Sequence, residues 1–192
     1  MIVSVVSNKG GVGKTTTAVH LARYFHTHHG SAALIDGDLN ASALLWASQG
    51  DGFGFPVVPL GSEVTASHVV IDAPARPTPE ELASLAQSSD LVIIPTPASL
   101  MDLGATVKML QESPIENYRI LLTIGEPTGS DLEEARDALE GMGFKVMRSR
   151  VYRSTAFKKA QDSGQTVDLV KHSKGKRAWG EYVSVGEEIV HD

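Results

Sequence analysis

The chain has 192 residues, the size of one ordinary α/β domain, and its 42% hydrophobic and 21% charged residues fit a globular protein and exclude a disordered or fibrous one. It contains no cysteine, which excludes disulfides, cysteine-ligated zinc, iron–sulfur clusters and thiol nucleophiles. The net charge of −6 conceals a segregation, because residues 145–177 hold 10 of the 17 Lys and Arg against two acids, Asp162 and Asp168.

The apolar strand Ile2–Val6 has no basic residue ahead of it, so the start does not read as a signal peptide. No apolar run approaches the ~18–20 residues of a membrane span, and a cytoplasmic protein is expected. The strand runs into Ser7-Asn8-Lys9-Gly10-Gly11-Val12-Gly13-Lys14-Thr15-Thr16, and a helical pattern follows at 14–28. Glycines let successive backbone N–H groups curl around a phosphate chain, and a helix N-terminus adds partial positive charge. Lys14 would then reach the β- and γ-phosphates, and the Thr15 hydroxyl would ligate magnesium. His26, His28 and His29 close this helix just before Gly30, where they suit the helix dipole and glycine suits the exit.

The second strand, Ala32–Asp36, ends in Asp36-Gly37-Asp38, two carboxylates that fit either a nucleotide site or the cap of a following helix. Gly50–Gly61 reads as a loop with one short edge strand. Val69–Asp72 is an apolar strand ending in aspartate, a Walker B element in which Asp72 holds magnesium through water. A helix at 79–87, the strand Leu91–Pro95, a helix at 99–111, the strand Ile120–Thr123, a helix at 130–142 and the strand Lys145–Met147 complete the alternation. Asp131 and Glu133 crowd the first turn of the last helix, and Gly141 and Gly143 bracket its exit. The nearly uninterrupted apolar runs predict strands buried on both faces. The expected fold is therefore a single domain, residues 1–192, with a doubly wound, mostly parallel sheet, helices on both faces, and ligands at the carboxyl ends of the strands.

The phosphate loop departs from Gly-x-x-x-x-Gly-Lys-Thr, with Asn8 at the first glycine position and Lys9 after it. In this deviant form the chain resembles the ParA/MinD family of P-loop ATPases over essentially its whole length. The resemblance implies that ATP and Mg2+ are the cofactors and that Lys9, Gly10, Gly11, Val12, Gly13, Lys14, Thr15 and Thr16 surround the nucleotide. It makes Lys9 the signature lysine that crosses a homodimer interface to the partner's nucleotide. Lys9, Lys14 and Asp38 are then the catalytic residues, with Asp38 positioning the attacking water, while Thr15, Asp36 and Asp72 form the magnesium set. Asp36 could alternatively support the signature lysine or cap a helix. Leu39-Asn40 stands where the family often has Pro-Gln, and Thr123 replaces the family's adenine-side asparagine, with Pro127 in the loop that covers the base.

The basic segment has two readings, a solvated face or a phosphate-backbone surface for nonspecific double-stranded DNA. Its candidates are Arg150, Arg153, Lys158, Lys159, Lys171, Lys174, Lys176 and Arg177, with Arg148 beside them just past the last strand. Ser154-Thr155-Ala156-Phe157 with Ala160, Gly164 and Val167 resembles the family's DNA-contacting region, and too few aromatics interleave the charges for single-strand stacking. With the phosphate loop so near the N-terminus, no helix-turn-helix domain is expected, and specific DNA reading would fall to a partner. Trp179, Tyr182, Val183, Val185 and Ile189 give the tail a rough helical spacing, but Glu181, Glu187, Glu188 and Asp192 would repel anionic lipid. The tail is expected to pack on the domain and not to bind membrane.

The resemblance implies an ATP-bound dimer that grips DNA on the nucleoid and releases it after hydrolysis stimulated by a ParB-like or cargo-adaptor protein. Its cargo would be a plasmid, a chromosome origin or a protein body such as a carboxysome. The competing readings are a metabolic enzyme of the dethiobiotin-synthetase type and a nucleotide-dependent binding switch with little hydrolysis. The nitrogenase iron protein, which uses the same loop, is excluded by the lack of cysteine.

Overall fold

The structure, a computed structural model, describes residues 1–191. Seven parallel strands form one sheet: β1 (Ile2–Ser7), β2 (Ala32–Asp36), β3 (Val57–Pro59), β4 (His68–Ala75), β5 (Leu91–Pro97), β6 (Tyr118–Gly125) and β7 (Val146–Tyr152), in the order β3-β2-β4-β1-β5-β6-β7. From β1 the chain goes out to β2 and the edge strand β3, returns to β4 beside β1, then crosses over and winds outward through β5, β6 and β7. The crevice at such a reversal lies at the carboxyl end of β1, where the glycine-rich loop begins.

Alternate residues of each strand feed two cores. Ile93 and Leu121 face a core built with α1 (Lys14–His29), α2 (Ser42–Ser48), α6 (Thr155–Asp162) and α7 (Gly175–His191), while Val92, Ile94, Ile120 and Leu122 face α3 (Pro79–Gln87), α4 (Leu100–Glu112) and α5 (Asp131–Gly141). Thr78 and Glu81 close a reciprocal capping box at the start of α3. The Gly50–Gly61 loop carries the short edge strand β3, as expected. Among the described residues, no helix is long and apolar enough to cross a membrane.

Three elements depart from the sequence reading. The last strand does not stop at Met147 but continues to Tyr152, so Arg148 and Arg150 lie within β7 and not beyond it. An edge strand tolerates charged side chains on its open side. Helices α2 and α6 are short, seven and eight residues, with too few apolar positions to give a readable period. The acids of the tail also turn inward. Glu188 accepts the backbone N–H groups of Arg148 and Ser149 at 2.6 and 2.7 Å, and Glu181 accepts that of Tyr152 at 3.0 Å. They occupy donors that the edge of β7 would otherwise present. Asp192 lies outside the described residues.

Helix α7 packs closely on α1. A Cβ at Gly186 would fall 2.2 Å from the Tyr24 ring, which His28 stacks against from a centroid distance of 4.5 Å. Beneath the first turn of α1, the fully buried His20 has its Nδ1 2.7 Å from the Thr16 carbonyl, while its Nε2 accepts the Val167 N–H at 3.0 Å. The ring is therefore neutral with its proton on Nδ1, and it stacks on Tyr182 at 4.9 Å. Burial holds its pKa at about 4.

Two expectations follow. Gly186→Ala should improve helix propensity by ~1 kcal/mol yet lower the urea midpoint, since overpacking against the fixed ring costs roughly 1–3 kcal/mol. His20 takes up a proton more readily when unfolded, so the stability it contributes is complete above pH 6.5 and is lost as pH falls towards about 4. Denaturation at pH 7 and pH 4.5 should show a steep acid loss, and His20→Gln should flatten it by up to ~3 kcal/mol.

Candidate nucleotide site

The loop between β1 and α1 turns twice through left-handed backbone, at Gly11 (φ 79°) and Gly13 (φ 92°), a conformation glycine enters without a Cβ penalty. It leads into α1 through the Thr17 N–H to Gly13 carbonyl bond of 2.8 Å. Lys14, 8% exposed, folds inward. Its ammonium donates to Asp72 Oδ1 at 2.7 Å, to the Ala73 carbonyl at 2.7 Å and to Asp38 Oδ2 at 3.1 Å. The parallel register of β1, β4 and β2 brings these groups together, pairing Val5 with Asp72 and Asp72 with Asp36.

Asp72 is fully buried, and burial pushes its carboxyl up against the opposing pull of Lys14 and the Thr15 hydroxyl. Asp38 is also raised by burial, but the Asn40 N–H and Lys14 together outweigh this and hold it below the usual carboxylate range. The Thr15 hydroxyl donates to Asp72 Oδ2 at 2.7 Å. A hydroxyl and a carboxylate one hydrogen bond apart are hard oxygen donors of the kind Mg2+ takes, so Thr15 and Asp72 fit the expected metal set.

Asp36 is placed differently from the magnesium expectation. Its Oδ2 accepts the N–H groups of Ala43 and Leu44 at 2.9 and 3.0 Å, and its Oδ1 accepts that of Asp38 at 3.1 Å. It caps α2, the alternative its sequence position left open, and its Oδ2 is fully engaged by those two bonds while Oδ1 accepts one.

Lys9 points the other way, to the rim, where Asp102 Oδ1 accepts from its ammonium at 2.8 Å. Asp102 sits in the first turn of α4 and also takes the Ser99 hydroxyl; these two bonds hold its carboxyl below the usual range. Asp102 was not foreseen, although Ser99-Leu100-Met101-Asp102 has helix-start spacing.

A cleft of about 470 Å³ runs from Lys9, Gly10, Gly11, Gly13, Lys14, Thr15, Thr16 and Asp38 to a second end formed by Thr123, Ile124, residues 151–154, Phe157 and Tyr182. Val12 is buried below the loop, and its carbonyl accepts the Thr123 hydroxyl at 2.9 Å. Thr123 thus braces the loop as well as lining the cleft. Pro127, expected in the loop that covers the base, is exposed and is not among the residues lining the cleft; the chain after Gly125 turns through the Gly129 N–H to Glu126 carbonyl bond. Tyr182 and Phe157 were not anticipated here, since nothing local in the sequence shows that α6 and α7 return to this end.

The basic segment divides in two. Arg150 pairs with Glu133, Arg153 with Glu126, Lys158 with Asp162 and Arg177 with Glu181, at 2.7–3.2 Å. Lys159, Lys171, Lys174 and Lys176 are exposed, and none has an acid within ion-pair reach among the described residues.

Replacing Lys14 by Met would leave Asp72 buried without its cation. The ligand-free variant should lose about 3–5 kcal/mol at pH 8. The deficit should shrink at pH 5, because a carboxyl with a raised folded-state pKa is penalised only while ionised. Urea unfolding at both pH values measures this, and ATP titration should show binding lost.

A family model described as the CobQ/CobB/MinD/ParA nucleotide binding domain matches residues 3–167. A protein of Gloeobacter kilaueensis named maintenance of carboxysome distribution protein A is 28% identical, covering 100% of this chain and 94% of its own length. Among solved structures, MinD from Aquifex aeolicus superposes with a TM-score of 0.77 at 13% identity, covering 100% of this chain and 97% of that one. An ATP complex of a Cyanothece McdA variant gives 0.73 at 13%, with 100% and 97% covered. A ParA family ATPase from Chlorobium tepidum gives 0.69 at 17%, with 97% of each chain covered. The phosphate loop, the strand-end carboxylates and the match over residues 3–167 together make this chain a member of the CobQ/CobB/MinD/ParA nucleotide-binding family.

Proposed function

We propose that this chain is an ATPase that closes into a homodimer around two ATP molecules, holds double-stranded DNA without regard to sequence, and releases it after hydrolysis stimulated by an adaptor protein. The observation that carries the proposal is the opposite aim of two lysines in one loop. Lys14 faces the interior carboxylates, whereas Lys9 stands on the rim, 35% exposed, where a second copy can reach it.

In this scheme Lys14 leaves Asp38 and Asp72 for the β- and γ-phosphates, and Asp38 is released to orient water. Thr15 and Asp72 would hold a magnesium ion, which would supply charge neutralisation at the phosphates. Lys9 exchanges Asp102 for the partner's nucleotide, as an arginine finger does, an effect that can be worth roughly 10³–10⁵ in rate. The relative named for carboxysome distribution makes a carboxysome the first cargo to test, with the nucleoid in the cytoplasm as the support.

The four unpaired lysines are the natural DNA contacts. A monomer that neutralises three or four phosphates binds weakly, and a dimer doubles them. With about 6–8 phosphates neutralised, the log–log salt slope should be roughly −5 to −7. Anisotropy of labelled DNA with ATP, ADP or no nucleotide, at two salt concentrations, should show ATP-dependent, sequence-indifferent binding. Lys9→Ala should lose it with dimerisation, and the triple variant K171E/K174E/K176E should lose it while still dimerising. Equal affinity in all nucleotide states would refute the DNA-gripping dimer.

A further inference from the structure

The loop after β2 holds one carboxylate still. Asp36 accepts the Asp38 N–H and also caps α2, so the two ends of residues 38–44 are tied to one side chain. Between them the Ala41 N–H donates to the Asp38 carbonyl at 2.8 Å, which closes a tight turn, and Ala41 takes a left-handed φ of 48°. A residue other than glycine kept in that region beside a cleft points to a constraint set by the site.

The turn brings Asn40 back onto Asp38. The Asn40 backbone N–H and its side-chain Nδ2 both donate to Asp38 Oδ1, at 2.9 and 3.0 Å. Oδ2 receives Lys14, at 3.1 Å. A carboxylate oxygen accepts about two hydrogen bonds, so Oδ1 is filled by one residue while Oδ2 keeps room. Both Asp38 and Asn40 line the cleft.

The charges around Asp38 give this asymmetry a use. Lys14 reaches it from α1, Asp36 of β2 accepts its backbone N–H, and Asp72 of β4 shares the same ammonium. Once the ammonium turned to a phosphate, Asp38 would lose its cation and gain negative neighbours, and both changes favour protonation. Donors that bond the ionised form oppose that change, and the two from Asn40 do not depend on Lys14.

We infer that Asn40 is a positioning residue for hydrolysis: it pins Oδ1 of Asp38, so that Oδ2, the oxygen Lys14 vacates, is the one presented to the attacking water. This rests on the function proposed above. Asn40 acts through Asp38 and need not touch the nucleotide.

The test is steady-state hydrolysis of ATP with magnesium by the full chain, beside calorimetric titration with the nonhydrolysable imido analogue. Asn40→Ala keeps the backbone donor and removes the amide. It should bind the analogue within about twofold of the wild type and leave KM unchanged, yet lower kcat roughly tenfold, the scale of one hydrogen bond to a charged group. Asn40→Asp, of the same shape but with an acceptor facing the carboxylate, should fall further, and Asn40→Gln, which keeps an amide, should recover most of the loss. In an Asp38→Ala background, Asn40→Ala should change kcat by less than about twofold, because nothing is left for it to hold. Wild-type turnover by Asn40→Ala, beside a crippled Asp38→Ala, would overturn the inference alone. So would a full further loss in the Asp38→Ala background, which would put the action of Asn40 elsewhere, or analogue binding that weakens as much as kcat, which would make Asn40 a brace of the loop. Wild-type turnover by Asp38→Ala, or a wild type that binds no analogue, would instead bring down the nucleotide reading, and this inference with it.

Discussion

Lys14 carries a positive charge into a place where water barely reaches, and the carboxylates of Asp72 and Asp38 make that arrangement tolerable. Each partner alone would be costly to bury; together they hold the loop, the end of β4 and the loop after β2 in one unit. The arrangement is also replaceable. On the proposed function, a triphosphate would offer the ammonium more negative charge than two carboxylates do, and a magnesium ion would offer Asp72 a stronger partner than a lysine. Ligand entry would then be an exchange of ionic partners, and the carboxylate freed at the mouth of the cleft is the one whose pKa already favours the ionised form.

The other end of the cleft depends on distant parts of the chain. His20, one turn into α1, is fixed by Thr16 on one side and by the Val167 N–H on the other, and it lies among the rings of Trp46, Phe157 and Tyr182. The Trp46 indole donates to the carbonyls of Ala160 and Gln165, which joins the helix after the Asp38 loop to the segment that carries the free lysines. The nucleotide end and the basic end are therefore parts of one packed layer, and a shift of α2 has a direct mechanical route to α6.

Much of this was legible in the sequence because it rests on local rules. The glycine loop, its lysine and threonine, and aspartates at strand ends declare themselves through spacing and through the period of buried strands. Five of the seven strands were placed within three residues at each end, the last was ended five residues early, and the short edge strand β3 was expected in its loop. What escaped depends on tertiary return. Nothing near Tyr182 says that it lies beside Thr17, and nothing near Asp102 says that Lys9 reaches it. Asp36 could be read two ways until α2 was seen starting above it. The basic run looked uniform because sequence cannot show that Glu133, Glu126, Asp162 and Glu181 meet four of its members.

The glutamates of α7 along β7 bear on how this chain avoids polymerising. A parallel sheet that ends in an open strand is a template for another copy, and strand-to-strand growth has no natural stopping point. Glu188 and Glu181 fill the donors at Arg148 and Ser149 and at the end of the strand, so a newcomer finds acceptors where it needs N–H groups. Burial already raises the Glu181 carboxyl, so mild acid weakens that plug early. The C-terminal helix is in this sense a sheath over the open edge of the sheet, one that loosens as its carboxylates take up protons.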